Sequence, residues 1–203
     1  MSDDEDYLDK SPAAGRMGKA AEYLVAASCI LATGGELNVS TSLVDDEGVD
    51  LVFHRRGSSQ TLAVQVKARM STGTQVQQGR LMAFVRSQTF QPRTDLDMLF
   101  VAVDVELGAI MMAWLIPSAA FGEMVTEPNS KGRFRFSASM KPNSMDRWSQ
   151  FRLTAAELPQ RVLARLTELE KAGVEWTGPH PPANGTFTSV ATPCGGCSPG
   201  TTT

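Results

Sequence analysis

The chain has 203 residues, of which 42% are hydrophobic, and a formal net charge of −3. That is enough apolar material for one domain with a buried core and tails. It holds no run of about 18 apolar residues that would cross a bilayer, and its overall charge speaks against a protein that holds polyanions by bulk charge.

The opening MSDDEDYLDK is acidic and lacks the charged-then-apolar layout of a signal peptide, so the expected location is cytoplasmic. Residues 1–10 carry Asp3, Asp4, Glu5, Asp6 and Asp9 against Lys10, which leaves 17 acids and 18 bases in the remainder. Residues 1–12 read as a disordered acidic tail. Residues 13–32, Ala- and Leu-rich without proline, predict a helix that Gly34 and Gly35 end. Glu22 sits in its middle, one turn after Gly18, where a missing side chain leaves room for another backbone or a ligand. Cys29 lies on its apolar pattern and is expected to be buried and inert.

A short strand is expected over residues 37–43, followed by an acidic turn at Asp45, Asp46 and Glu47 and a strand over 49–54. RRGSSQ makes a hairpin connection, and the next strand covers 61–69. Residues 79–86 read as strand. LDMLFVAV at 96–103 is a buried strand that pairs with IMMAWLI at 110–116, where Pro117 stops it. KGRFRFSAS alternates as a half-exposed edge strand. Thr154 and Glu157 have capping-box spacing at the head of a second helix, which Gly173 ends. Trp114, Trp148 and the Met-rich IMMAW run read as core. The tail from 177 is rich in Gly, Pro, Ser and Thr and is expected to be disordered. Its Cys194 and Cys197 lack the second ligand pair of a zinc site, since His180 stands alone. One α/β domain over residues 13–176 follows, an α+β arrangement in which helices cover a mixed β-sheet.

Three polar residues intrude on this pattern. Asp50 lies in the first apolar run of GVDLVFHRRGSSQTLAVQVKAR, and Gln65 and Lys67 lie in the second. Gln65 and Lys67 share a strand face, with Leu62, Val64 and Val66 opposite, and a hairpin register can bring Asp50 beside them. Asp50, the Gln65 amide oxygen and the Val66 carbonyl form an oxygen set of the kind that hard divalent cations prefer. A neighbouring lysine can orient a water and offset phosphate charge. Singly, each intrusion has a plain account. Lys67 can reach solvent from a sheet edge, Asp50 can pair with Arg69 or Arg55, His54 can be an ordinary hairpin residue and Glu22 an exposed helix charge. Basic residues cluster at Arg55 and Arg56, at Lys67 and Arg69, and along Lys131, Arg133 and Arg135, stripes that can track phosphates.

Glu22 in a first helix, then Gly48-Val49-Asp50, then Gln65-Val66-Lys67, with fourteen residues between Asp50 and Gln65, resembles the PD-(D/E)XK nuclease superfamily. The resemblance covers residues 13–120, where LDMLFVAVD and AWLIPSAAF look like additional strands of restriction-endonuclease-like members. It departs at Gln65, where most members carry Glu or Asp; Q-x-K branches include restriction-like enzymes and anti-phage effector nucleases. The resemblance implies a restriction-endonuclease-like fold and a magnesium- or manganese-dependent endonuclease. Its catalytic residues would be Glu22, Asp50, Gln65 and Lys67, and its metal ligands Glu22, Asp50, Gln65 and Val66. The implied substrate is DNA, with RNA ranked below it, and a homodimer or a targeting protein are the implied partners. The alternative is a non-catalytic nucleic-acid- or protein-binding module that keeps the nuclease fold.

Overall fold

The computed structural model describes residues 12–41 and 48–173. The acidic N-terminal stretch, the Asp45-Asp46-Glu47 turn and the CGGC tail fall outside these residues. The first helix, α1 (Pro12–Ala32), turns Ala21, Val25 and Cys29 inward on one stripe, as its four-residue spacing requires. Three strands follow, β1 (Leu37–Thr41), β2 (Leu51–Arg55) and β3 (Thr61–Met70). A single helical turn, α2 (Thr74–Gln77), leads to β4 (Arg80–Arg86), and then come β5 (Leu96–Asp104) and β6 (Ala109–Pro117). A short helix α3 (Ser118–Met124), strands β7 (Arg133–Ser139) and β8 (Arg152–Leu153), and the helix α4 (Glu157–Gly173) complete the order.

Six strands form a mixed sheet in the order β1-β2-β3-β5-β6-β8. Only β3 and β5 run parallel; the other neighbours are antiparallel. β5 lies at the centre with both faces covered, which is why its apolar run is continuous rather than alternating. On one face, α1 and α4 pack Val25, Cys29, Leu158, Val162 and Leu166 onto Leu51, Phe53, Val64 and Leu99. On the other, β4 and β7 pair into a separate two-stranded ribbon. The ribbon sits on Met98, Phe100 and Trp114 through an aromatic cluster in which Phe100 and Phe136 stack at 3.8 Å and Phe121 and Trp148 at 5.6 Å. Trp114 and Trp148 are fully buried, as core residues should be. Among the described residues no helix is long and apolar enough to cross a membrane.

Several expectations need correction. The PSAAF half of AWLIPSAAF is not strand: Pro117 closes β6 and Ser118 opens α3. Helix α1 begins at Pro12, inside the stretch read as tail; proline fits a first helical turn, where its missing N–H has no partner to lose. Met111 stands 42% exposed, so one residue of the IMMAW run faces solvent while Ile110, Ala113 and Trp114 are buried. Arg55 does not join a phosphate-tracking stripe. Its guanidinium bonds Glu170, the Leu163 carbonyl and Thr167, and so ties β2 to α4.

Candidate active site at the fork of β2 and β3

The hairpin register runs from His54 opposite Thr61 to Leu51 opposite Val64 and stops there. Among the described residues β3 continues for six more, Gln65 to Met70, paired only with β5. The sheet therefore forks at Asp50, and among the described residues no strand pairs with the β2-facing edge of β3 beyond Val64. Expected strand residues Val49 and Asp50 lie just outside the ladder.

Two groups fill the first positions of that edge. The Asp50 N–H donates to the Val64 carbonyl at 3.0 Å, and its Oδ2 accepts the Val66 N–H at 2.7 Å. A carboxylate thus takes the donor that β2 would have taken, a charge-assisted bond worth about 1.5–3 kcal/mol. Within a strand the N–H and C=O of one residue point to the same side, so the Val66 carbonyl faces the fork beside Asp50. One step along, Arg69 folds back, donating to the Ala68 carbonyl and to the Met82 carbonyl of β4, both at 2.8 Å.

Gln65 and Lys67, both half-buried, project from the other face, while Val64 and Val66 enter the helix-covered core. The alternation expected from the sequence is observed. Gly48 explains the Gln65 placement. It is buried with φ +70°, and a Cβ there would clash with the Gln65 amide nitrogen, with Oε1 farther off at 3.9 Å. The glycine of G-x-D is thus the floor on which the Gln65 side chain rests, a role that the sequence reading left unexplained.

Glu22 approaches from α1. Its side chain is 13% exposed and accepts a 2.6 Å hydrogen bond from Lys19 Nζ one turn earlier. That bond holds the Lys19 ammonium above the ordinary lysine range against a small burial cost, and the charges of Glu22 and Asp50 add to it. Lys19 thus feels both carboxylates, one from the helix and one from the fork. The sequence reading passed over it, although its i, i+3 spacing to Glu22 was visible. Among the described residues a Cβ at Gly18 would meet nothing within 4 Å.

The donor set at the fork is carboxylate, amide and backbone carbonyl oxygen. Such a set suits a hard divalent cation. No group of three or more His, Cys, Asp or Glu side chains gathers anywhere among the described residues, so any such cation would rest on amide and backbone oxygens as well as carboxylates. His54 lies on the Asp50 face four residues on, opposite Thr61, within the regular ladder.

No family model and no curated protein matches this sequence. Among solved structures, the chain is similar to a bacterial homing endonuclease, I-Ssp6803I, at 20% identity and a TM-score of 0.48, covering 77% of this chain and 96% of that one. A likeness of this depth assigns no chemistry.

Proposed function

We propose that the chain is a metal-dependent endonuclease of restriction-endonuclease-like fold, acting on DNA phosphodiester bonds. The observation that carries this reading is the fork itself. Asp50 is locked onto the Val66 N–H where β2 leaves β3, and Gln65, the Val66 carbonyl and Lys67 follow on the freed strand. An edge plug alone accounts for Asp50 and Arg69. It accounts neither for a glutamine seated on a positive-φ glycine nor for a half-buried lysine two residues on.

Asp50, Gln65 and the Val66 carbonyl would hold a magnesium or manganese ion, with Glu22 completing the set. The bound ion would supply Lewis-acid activation of the scissile phosphate and of a water. Asp50 is pre-oriented by the backbone, so its carboxylate need not reorganise. Lys67 lies on the face of Gln65, where its ammonium can position the attacking water and offset charge on the phosphoryl oxygens. Glu22, now bonded to Lys19, would have to exchange that bond to serve as a ligand.

With magnesium or manganese, the purified chain should nick or cut plasmid DNA. Asp50→Ala and Lys67→Ala should each slow cutting by about 100-fold or more with unchanged circular dichroism. Undiminished cutting in both variants would end this assignment.

One observation favours the alternative of a non-catalytic binding module: among the described residues no group of three His, Cys, Asp or Glu side chains gathers, and Gln65 stands where an acid is expected. Gln65→Glu separates the readings. At a metal site the added charge should tighten manganese binding by calorimetry, whereas a module without a metal site should show no manganese heat in either form.

A further inference from the structure

The β4–β7 ribbon carries a charge pattern that packing does not explain. Leu81, Ala83 and Val85 of β4 and Phe136 and Ala138 of β7 enter the aromatic core. By alternation, Arg80, Arg86, Arg133 and Arg135 lie on the outer face. Neither strand holds an acidic residue. Arg86 stands directly opposite Arg133 in the register. Like charges at facing positions of a strand pair cost stability, so folding alone gives no reason for them.

Arg80, Arg135 and Arg147 line one shallow depression of about 350 Å³ together with Ser137 and Thr126. Two of the three guanidiniums are held in place. Arg80 donates to Ser137 Oγ at 3.2 Å. Arg147 lies 5.0 Å over the ring of the buried Trp148 and donates to the Met124 carbonyl at 2.8 Å. The nearby acid, Asp146, spends its carboxylate on the Ser139 and Trp148 N–H groups at 2.7 and 2.9 Å. Among the described residues none of the three arginines forms an ion pair with an acid, and pre-oriented guanidiniums match phosphate oxygens.

We infer that the outer face of the β4–β7 ribbon binds the sugar-phosphate backbone of duplex DNA. The choice of DNA among polyanions rests on the nuclease reading above. It also rests on shape: a two-stranded ribbon fits the major groove of B-form DNA, whereas the deep, narrow groove of an RNA duplex excludes it. The ribbon is joined to the candidate active site through Arg69, which lies two residues beyond Lys67 on β3 and bonds the Met82 carbonyl of β4. A duplex gripped here is therefore held by an element coupled directly to the strand that carries Gln65 and Lys67.

The test uses the full chain in EDTA, where no cutting occurs, with two unrelated fluorescein-labelled 25-base-pair duplexes. Anisotropy titrations from 50 to 200 mM KCl give affinity and its salt dependence. The double variant Arg80→Gln/Arg135→Gln should bind both duplexes about tenfold or more weakly, by the same factor. Its slope of log affinity against log salt should be shallower by about 2, one phosphate contact per arginine. Arg161→Gln, on α4 across the sheet, should bind as the parent does. The inference is overturned if the double variant, with unchanged thermal unfolding, keeps the parental affinity and slope. It is equally overturned if the parent binds neither duplex, or binds a duplex RNA of the same length more tightly. Because the assay needs neither metal nor cutting, failure of the nuclease reading leaves its outcome independent.

Discussion

Gly48 is the residue on which the fork depends most narrowly. Its φ of +70° is costly for any side chain, and a Cβ would strike the Gln65 amide. Gly48→Ala should therefore destabilise the fold by about 1–3 kcal/mol in urea titrations and displace Gln65. Adding Gln65→Ala should recover the clash but not the backbone cost, so the double-mutant cycle should show a favourable coupling. Strict additivity would mean that the two residues do not meet. Asp50, Gln65 and Lys67 were legible in the sequence because polar residues in apolar strands stand out. The partners that hold them were not. Val66 enters as a backbone donor, Gly48 as a missing side chain, and Lys19 as an ordinary surface charge on a helix.

At the scale of elements, most of the chain declared itself through periodicity. β5 showed as a continuous apolar run, β7 as strict alternation, and α4 through its cap. Thr154 donates its hydroxyl to Glu157 and accepts the Glu157 N–H, while the Glu157 carboxylate takes the Thr154 N–H at 2.8 Å. Those bonds hold the exposed Glu157 carboxyl below its ordinary range. What periodicity could not supply was partnership. KGRFRFSAS alternates as an edge strand would, yet nothing local says that β7 leaves the main sheet to pair with β4. The end of the β2–β3 ladder at Leu51 was also hidden. Val49 has as much strand character as Val52, and it is the turn of the chain at Gly48 that takes it out of register. Helix α3 was missed because its seven residues are too few to show a period.

For the molecule as a whole, the helical layer must be fixed to the central sheet, and one buried ion pair serves this. Arg165 of α4 grips Asp97 of β5 with two bonds at 2.9 and 3.0 Å, both residues nearly without solvent. Arg165 also reaches the Thr94 carbonyl and Glu168. Burial pushes the Asp97 carboxyl above its ordinary range, against the pull of the guanidinium. Removing one partner strands the other charge in the interior. Arg165→Ala should therefore cost about 3–5 kcal/mol in urea unfolding, while Asp97→Leu/Arg165→Met should recover much of it by replacing the pair with apolar packing. A loss below 1 kcal/mol for Arg165→Ala would show that water reaches Asp97.

The ribbon has a consequence for how the chain is closed. Its register joins Arg86 to Arg133 and Arg80 to Ser139, segments separated by β5, β6 and α3. Closing a loop of that size is entropically expensive, although the cost grows only with the logarithm of its length. A stiff polyanion lying across both strands would act as a reversible staple on this long loop, so that occupancy and fold would reinforce one another by mass action. The same arginines that repel across the empty ribbon would then become the points at which a ligand sews its two strands together.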